Sequence, residues 1–213
     1  QAVGKYYQTT QPWTTMSSDP GWTSGSTAKY ACRASYTIMT TDGFWNGTTP
    51  TSPSGIVGAA STNGSNTYTP PASDTYTVTG YVARPPFSGG AADSGASLAD
   101  VATYYWENDL NTTLANEVAP SASDAAFWQH MTTFTMGLGF TPSGITGTAP
   151  NGDNPPTIQD IFNWAQDVDG GVTAPRAITG FGWPTRSSNS VNHIADLAHA
   201  AVNCHGDFFN AKR

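Results

Sequence analysis

Charge is what this sequence has least of. Only 11% of its 213 residues are Asp, Glu, Lys or Arg, less than half of the roughly 25% usual for soluble domains. Eight are basic against 15 acidic, for a formal net charge of −7. So few cations cannot neutralise many phosphates, which excludes nucleic-acid binding built on backbone charge. Long apolar runs are also missing, so no stretch reads as a membrane span. Cysteine occurs only as Cys32 and Cys204. Two such residues fit one bridge in an oxidising compartment, and equally two unrelated buried thiols. There is no Gly-x-Ser-x-Gly turn, no Cys with a placed His and no Gly-rich phosphate loop after a strand. No catalytic apparatus is therefore marked.

The missing charge is replaced by uncharged polar residues: 31 Thr and 19 Ser, with 22 Gly and 15 Pro to make turns. Seven Trp, nine Tyr and nine Phe supply apolar area, enough to argue against disorder along the whole length. Low charge, abundant hydroxyls and many aromatics together suggest a secreted or surface protein. The chain opens on Gln1 rather than Met, which reads as a processed or excised piece.

Regular elements are few and widely spaced. Residues 1–7 read as the end of a helix. Ala34 to Thr41 is rich in β-branched and aromatic residues and stops at Asp42-Gly43, the mark of a strand. A second strand is expected over 130–139, led in by a short helical turn at 124–128. Between them, Ser97 and Asp100 form a capping box, and Leu98, Val101, Ala102 and Tyr105 repeat on one helical face. A further amphipathic helix carries Ile158, Ile161, Phe162 and Ala165. The last helix runs from about 191 to 203, with Gly206 near its stop. Segments 46–97 and 141–189 read as insertions, the first with a hairpin arm near 75–82. Strand, helix and strand in this order imply parallel pairing of strands buried on both faces. The fold class is therefore α/β, a doubly wound sheet, in one domain over 1–213. Ligands of such sheets gather at the carboxyl ends of strands, where Asp42 stands.

Three segments carry a more specific likeness. They are Cys32 to Asn46, with Thr41-Asp42-Gly43-Phe44-Trp45 inside it; Leu98 to Leu110 followed by Phe127 to Gly139; and Ile194 to Asn203. In order and wording they resemble the N-terminal region of the PilC/PilY family of type IV pilus biogenesis and tip-adhesin proteins. The resemblance implies a von Willebrand factor A-like domain with a metal-ion-dependent adhesion site. That site is built from an Asp-x-Ser-x-Ser loop, a Thr from a second loop and an Asp in a Thr-Asp-Gly. Thr41 and Asp42 match the third element; no Asp-x-Ser-x-Ser is present. The chain is therefore expected to begin mid-domain, with the early strands missing and a sheet edge left open. No tightly bound cofactor is expected, and Mg²⁺ or Ca²⁺ only if the missing motif is supplied.

Within such a fold Cys32 and Cys204 both fall at the bottom of the sheet, so a disulfide between them is expected. Phe44, Trp45 and Tyr81 are read as exposed loop aromatics that form a contact surface; the alternative is that they pin the loops as satellite cores. His193, His199 and His205, six residues apart, are read as structural or surface residues, and His130 as packed beside Trp128. Asp167 with Asp169, and Asn151 and Asp153 with Asp160, faintly resemble calcium-loop openings without the full ligand ladder. The function implied is a non-catalytic adhesion or assembly module on a Gram-negative cell surface or pilus tip. Its partners would be pilus subunits (minor pilins), a host or surface ligand, or a chain that completes the sheet. The alternatives are a structural subunit of a filament or tip complex, or a secreted hydrolase with an unmarked site.

Overall fold

The computed structural model describes residues 1–9, 31–42, 54–68, 80–89, 97–186 and 190–211. The central layer is a sheet of three parallel strands. These are β1 (Ser35–Thr41), β2 (Met131–Leu138) and β5 (Phe208–Ala211), in the order β1-β2-β5. Ser35 pairs with Met131 and Thr41 with Gly137; Thr135 pairs with Phe208 and Leu138 with Ala211. The α/β class and the parallel β1–β2 pairing follow the sequence reading. β5, only four residues long, gave no periodic signal.

Helix α4 (Asn192–Asn203) organises the core. Every residue from His193 to Asn203 is buried, because α4 lies between β2 on one side and α2 (Leu98–Glu107) on the other. Burying Ile194, Leu197 and Val202 contributes roughly 1.5–3 kcal/mol each. Its buried polar residues are only partly satisfied: Asp196 Oδ1, His199 Nδ1 and Asn203 Oδ1 have no hydrogen-bond partner among the described residues, while another atom of each is bonded. His199 Nε2 reaches the Phe87 carbonyl at 2.8 Å, and Asn203 Nδ2 donates to Thr103 Oγ1 at 2.9 Å. The amino end of α2 is held three ways. Its capping box with Ser97 is formed, Asp100 Oδ1 accepts from Ala60 N at 2.9 Å, and Asp196 Oδ2 of α4 accepts from Leu98 N at 3.1 Å.

α4 ends in a Schellman turn. Gly206 N donates to Ala201 O at 3.0 Å and His205 N to Val202 O at 3.3 Å. The left-handed position of this turn is occupied by His205 (φ 57°), the one positive-φ non-glycine among the described residues. The next residue must be glycine for a different reason: a Cβ on Gly206 would lie 1.9 Å from the Thr133 carbonyl oxygen of β2. Helix α1 (Ala2–Gln8) approaches α2 just as closely, with Gly4 against the Tyr105 ring.

Met131, Thr133, Thr135 and Gly137 share the face of β2 that meets α4, where Thr135 Oγ1 donates to Leu197 O at 3.0 Å. The opposite face carries Tyr36, Ile38, Phe134, Met136 and Phe209, and it is open. Ile38 is 72% exposed, Tyr36 59% and Phe209 47%. This corrects the expectation that both strands are buried on both faces. Among the described residues β1 and β5 are the edge strands, and the described helices that pack on this sheet, α2 and α4, lie on the other side. The expected helical turn at 124–128 is irregular chain instead, with the side chains of Asp124 and Trp128 held by hydrogen bonds.

Segment 141–186 has its own order. β3 (Thr146–Thr148) pairs antiparallel with β4 (Thr179–Gly182), and α3 (Ile158–Asp169) starts at a Thr157/Asp160 capping box. Ile161 and Trp164 of α3 and Trp183 after β4 join the same core as α4. Of the expected hairpin arm near 75–82, residues 75–79 lie outside the described residues and 80–82 are irregular.

Candidate functional site

The sequence pointed to the carboxyl rim of the sheet. Thr41 is half-buried there at the end of β1 and Asp42 follows, exposed. One carboxylate and one hydroxyl fall far short of the roughly six oxygens a hard divalent cation needs. Among the described residues no group of three or more His, Cys, Asp or Glu could hold a metal ion. The residues present therefore do not make a cation cage by themselves. Phe44 and Trp45 lie outside the described residues. Tyr81 is a correction: it is 4% exposed, and its hydroxyl donates to Ala60 O at 2.6 Å, so it is part of the core rather than an exposed contact aromatic.

The disulfide is a second correction. Both cysteines are free; Cys32 is exposed and Cys204 buried. The Cys204 thiol turns into the core, where it donates to Ala200 O at 2.8 Å and accepts from Thr133 N at 3.2 Å. Burial pushes its pKa up to about 12, which leaves it inert.

The acidic loops are also spoken for. Asp167 forms a two-pronged pair with Arg176, 2.7 Å from both Nε and Nη2. Near the start of α3, the Asn151 amide bridges Asp153 at 3.0 Å and Asp160 at 3.1 Å.

The densest chemistry lies at the opposite, amino end of the sheet. The His205 side chain is 6% exposed, and its Nδ1 lies 3.0 Å from Asp169 Oδ2 and 3.1 Å from the Ser123 carbonyl. Its ring stacks on Trp106 at 4.2 Å between centroids and lies 5.8 Å from Phe87. Burial alone would discharge the ring. The charge of Asp169, its hydrogen bond and the nearby Asp124 outweigh burial, and the His205 pKa is pushed up to about 9.

Asp124 is the second centre. It accepts from Trp106 Nε1 and Ala126 N, both at 3.1 Å, from Thr132 Oγ1 at 3.2 Å, and pairs with His130 Nε2 at 3.0 Å. Burial pushes its carboxyl up, but the His130 hydrogen bond and the charges of His205 and His130 hold it below the usual range. Two cavities flank His205. One, of about 260 Å³, includes Tyr81, Arg84, Phe87, Trp106 and Asp169 in its wall. The other, of about 170 Å³, includes Asp124, His130 and Ser123 and reaches Tyr36 and Phe134 on the open face.

Sequence reasoning saw His205 and Asp169 singly and joined neither to Asp124. The available signal was local: a histidine stands directly after a helix, before a glycine, at a position that favours glycine itself. A side chain kept there against backbone preference is held by other contacts.

No family model matches the chain, and no solved structure matches it. Curated proteins do. The chain is 34% identical over 200 residues to the Type IV pilus biogenesis factor PilY1 of Pseudomonas aeruginosa strain UCBPP-PA14, covering 86% of this chain and 15% of that protein. The proteins of the same name from strains ATCC 15692 and PAK are 32% and 31% identical over 199 residues. The likeness is to PilC/PilY-type sequences. It spans only about 15% of the length of the curated relatives it matches. The three segments that carried the likeness contain α2, the parallel pair β1–β2 and the core helix α4.

Proposed function

We propose that this PilC/PilY-type chain is a non-catalytic assembly or adhesion module of a type IV pilus, a single von Willebrand factor A-like domain whose sheet is completed by a further β-segment. The observation that carries this reading is the open side of the sheet. Parallel sheets are ordinarily covered on both faces, yet β1 presents Tyr36 and Ile38 outward and pairs on one edge only among the described residues. An added strand would satisfy the backbone groups of that edge, and the apolar face beside it would receive a covering helix. The names of the relatives supply the pilus context; this chain would act at the cell surface or the pilus tip, with pilus subunits or a surface ligand as partners. Asp42 and Thr41, at the carboxyl rim of β1, would lend a carboxylate and a hydroxyl to a cation-bridged contact once the completing segment brings the remaining ligands.

The test is Ile38→Lys in the pilus-bearing cell. Ile38 is 72% exposed, so the isolated chain should keep its stability within about 0.5 kcal/mol. Surface pili should be lost or sharply reduced. Val172→Lys, at an apolar residue 47% exposed but away from the sheet, should leave piliation intact. Normal piliation with Ile38→Lys would refute the proposal.

A further inference from the structure

His205 offers more than a structural pair. Its Nδ1 is engaged by Asp169 and Ser123, Nε2 makes no hydrogen bond among the described residues, and the ring lines the cavity of about 260 Å³. In the wall of the same cavity stands Arg84. Its Nη2 donates only to the Val168 carbonyl at 3.4 Å, and no carboxylate pairs with it among the described residues. Asp169 in that wall is already committed to His205. Arg84, His205 and Asp169 therefore share the wall of one cavity with Tyr81, Phe87 and Trp106. Its volume of about 260 Å³ lies just under the ~300–1,000 Å³ of drug-sized sites, and suits one side-chain-sized group.

From this geometry we infer that the cavity is a binding site for a carboxylate with a short apolar or aromatic tail, its oxygens bridging Arg84 and His205 Nε2. Charge-assisted hydrogen bonds from a guanidinium and an imidazolium are the strong class, and Arg favours carboxylate geometry. The rings supply the apolar contact. A cation is disfavoured, because the carboxylate it would seek is held by His205. The same chemistry is offered by a free small acid and by the carboxyl terminus of a partner chain that ends in an apolar residue. The inference is independent of the sheet edge at β1, none of whose residues line this cavity.

The test is NMR titration of the His205 ring nitrogens in the intact chain, with three probes. These are phenylacetate, a short peptide ending in Phe with a free carboxyl group, and the same peptide amidated. At least one carboxylate probe should shift Nε2 saturably, with Kd at or below the low-millimolar range, and raise the His205 pKa. Arg84→Gln, at a side chain hydrogen-bonded only to one carbonyl, should weaken binding at least tenfold with the fold intact. Binding of phenylacetate alone identifies a free acid as the ligand source; binding of the peptide alone identifies a chain terminus. Absence of a saturable shift with both up to 10-fold above that range, equal binding of the amidated peptide, or unchanged affinity in Arg84→Gln would each overturn the inference.

Discussion

Replacing His205 by Asn should remove most of the alkaline sensitivity of this fold. The native pKa is pushed up to about 9 from the ordinary 6.5. About two and a half pKa units correspond to roughly 3 kcal/mol of preferential stabilisation of the charged ring in the native state. Because the native value lies above the unfolded one, that stabilisation is complete below about pH 6.5. It declines as the pH rises from there to about 9, and is gone above it. Asn tolerates the left-handed backbone at this turn, so the substitution removes the charge without adding strain. Urea unfolding of both proteins at pH 6, 7.5 and 9.5 isolates the contribution, since every other titrating group is common to the pair. The wild type should be about 3 kcal/mol more stable than the variant at pH 6, and the two should converge by pH 9.5. A gap that stays constant across this range would refute the charge argument and leave only lost packing against Trp106. Asp169→Asn should reproduce much of the effect from the other side of the pair.

Asp196 titrates with the opposite consequence. Burial pushes its pKa up to about 6, so ionisation penalises the native state above that pH, and the penalty fades as the pH falls from 6 towards 4. Asp196→Asn should therefore stabilise the chain by about 3 kcal/mol at pH 7.5 and by little at pH 4 in urea unfolding. Gly206→Ala should destabilise by on the order of 3 kcal/mol or more, or prevent folding, because the new Cβ meets the Thr133 carbonyl; the soluble yield and the urea midpoint report it. Alkylation read by mass spectrometry should label Cys32 alone in the native chain and both cysteines in denaturant, with no bridge recovered from non-reducing digests.

The scaffold was legible because it repeats. The face Leu98, Val101, Ala102 and Tyr105, and the Ser97/Asp100 box, became α2 as read. The β-branched run before Asp42 became β1, and the helix between strands dictated their parallel pairing. What escaped was everything set by distance along the chain. β5 is too short to announce itself, and its place in the sheet depends on where α4 delivers it. Tyr81 sits in a Gly- and Pro-rich stretch and reads as surface, yet α4 and the 80–89 loop close over it. The Asp169–His205 and Asp124–His130 pairs join segments whose sequences carry no common period. The expected disulfide rests on placement at one end of the sheet. It failed because the Cys204 side chain turns inward to β2 rather than towards Cys32.

The enclosure of α4 has a consequence for the order of assembly. The helix that seals the first sheet pair comes almost last in the sequence, and its contact between Cys204 and Thr133 spans 71 residues. Until that late stretch emerges, the β1–β2 pair is covered by α2 but lacks its principal packing helix. Contacts so remote in sequence slow folding and leave intermediates sticky. Nascent chains truncated before α4 should accordingly recruit holding chaperones, and those a few residues longer should release them.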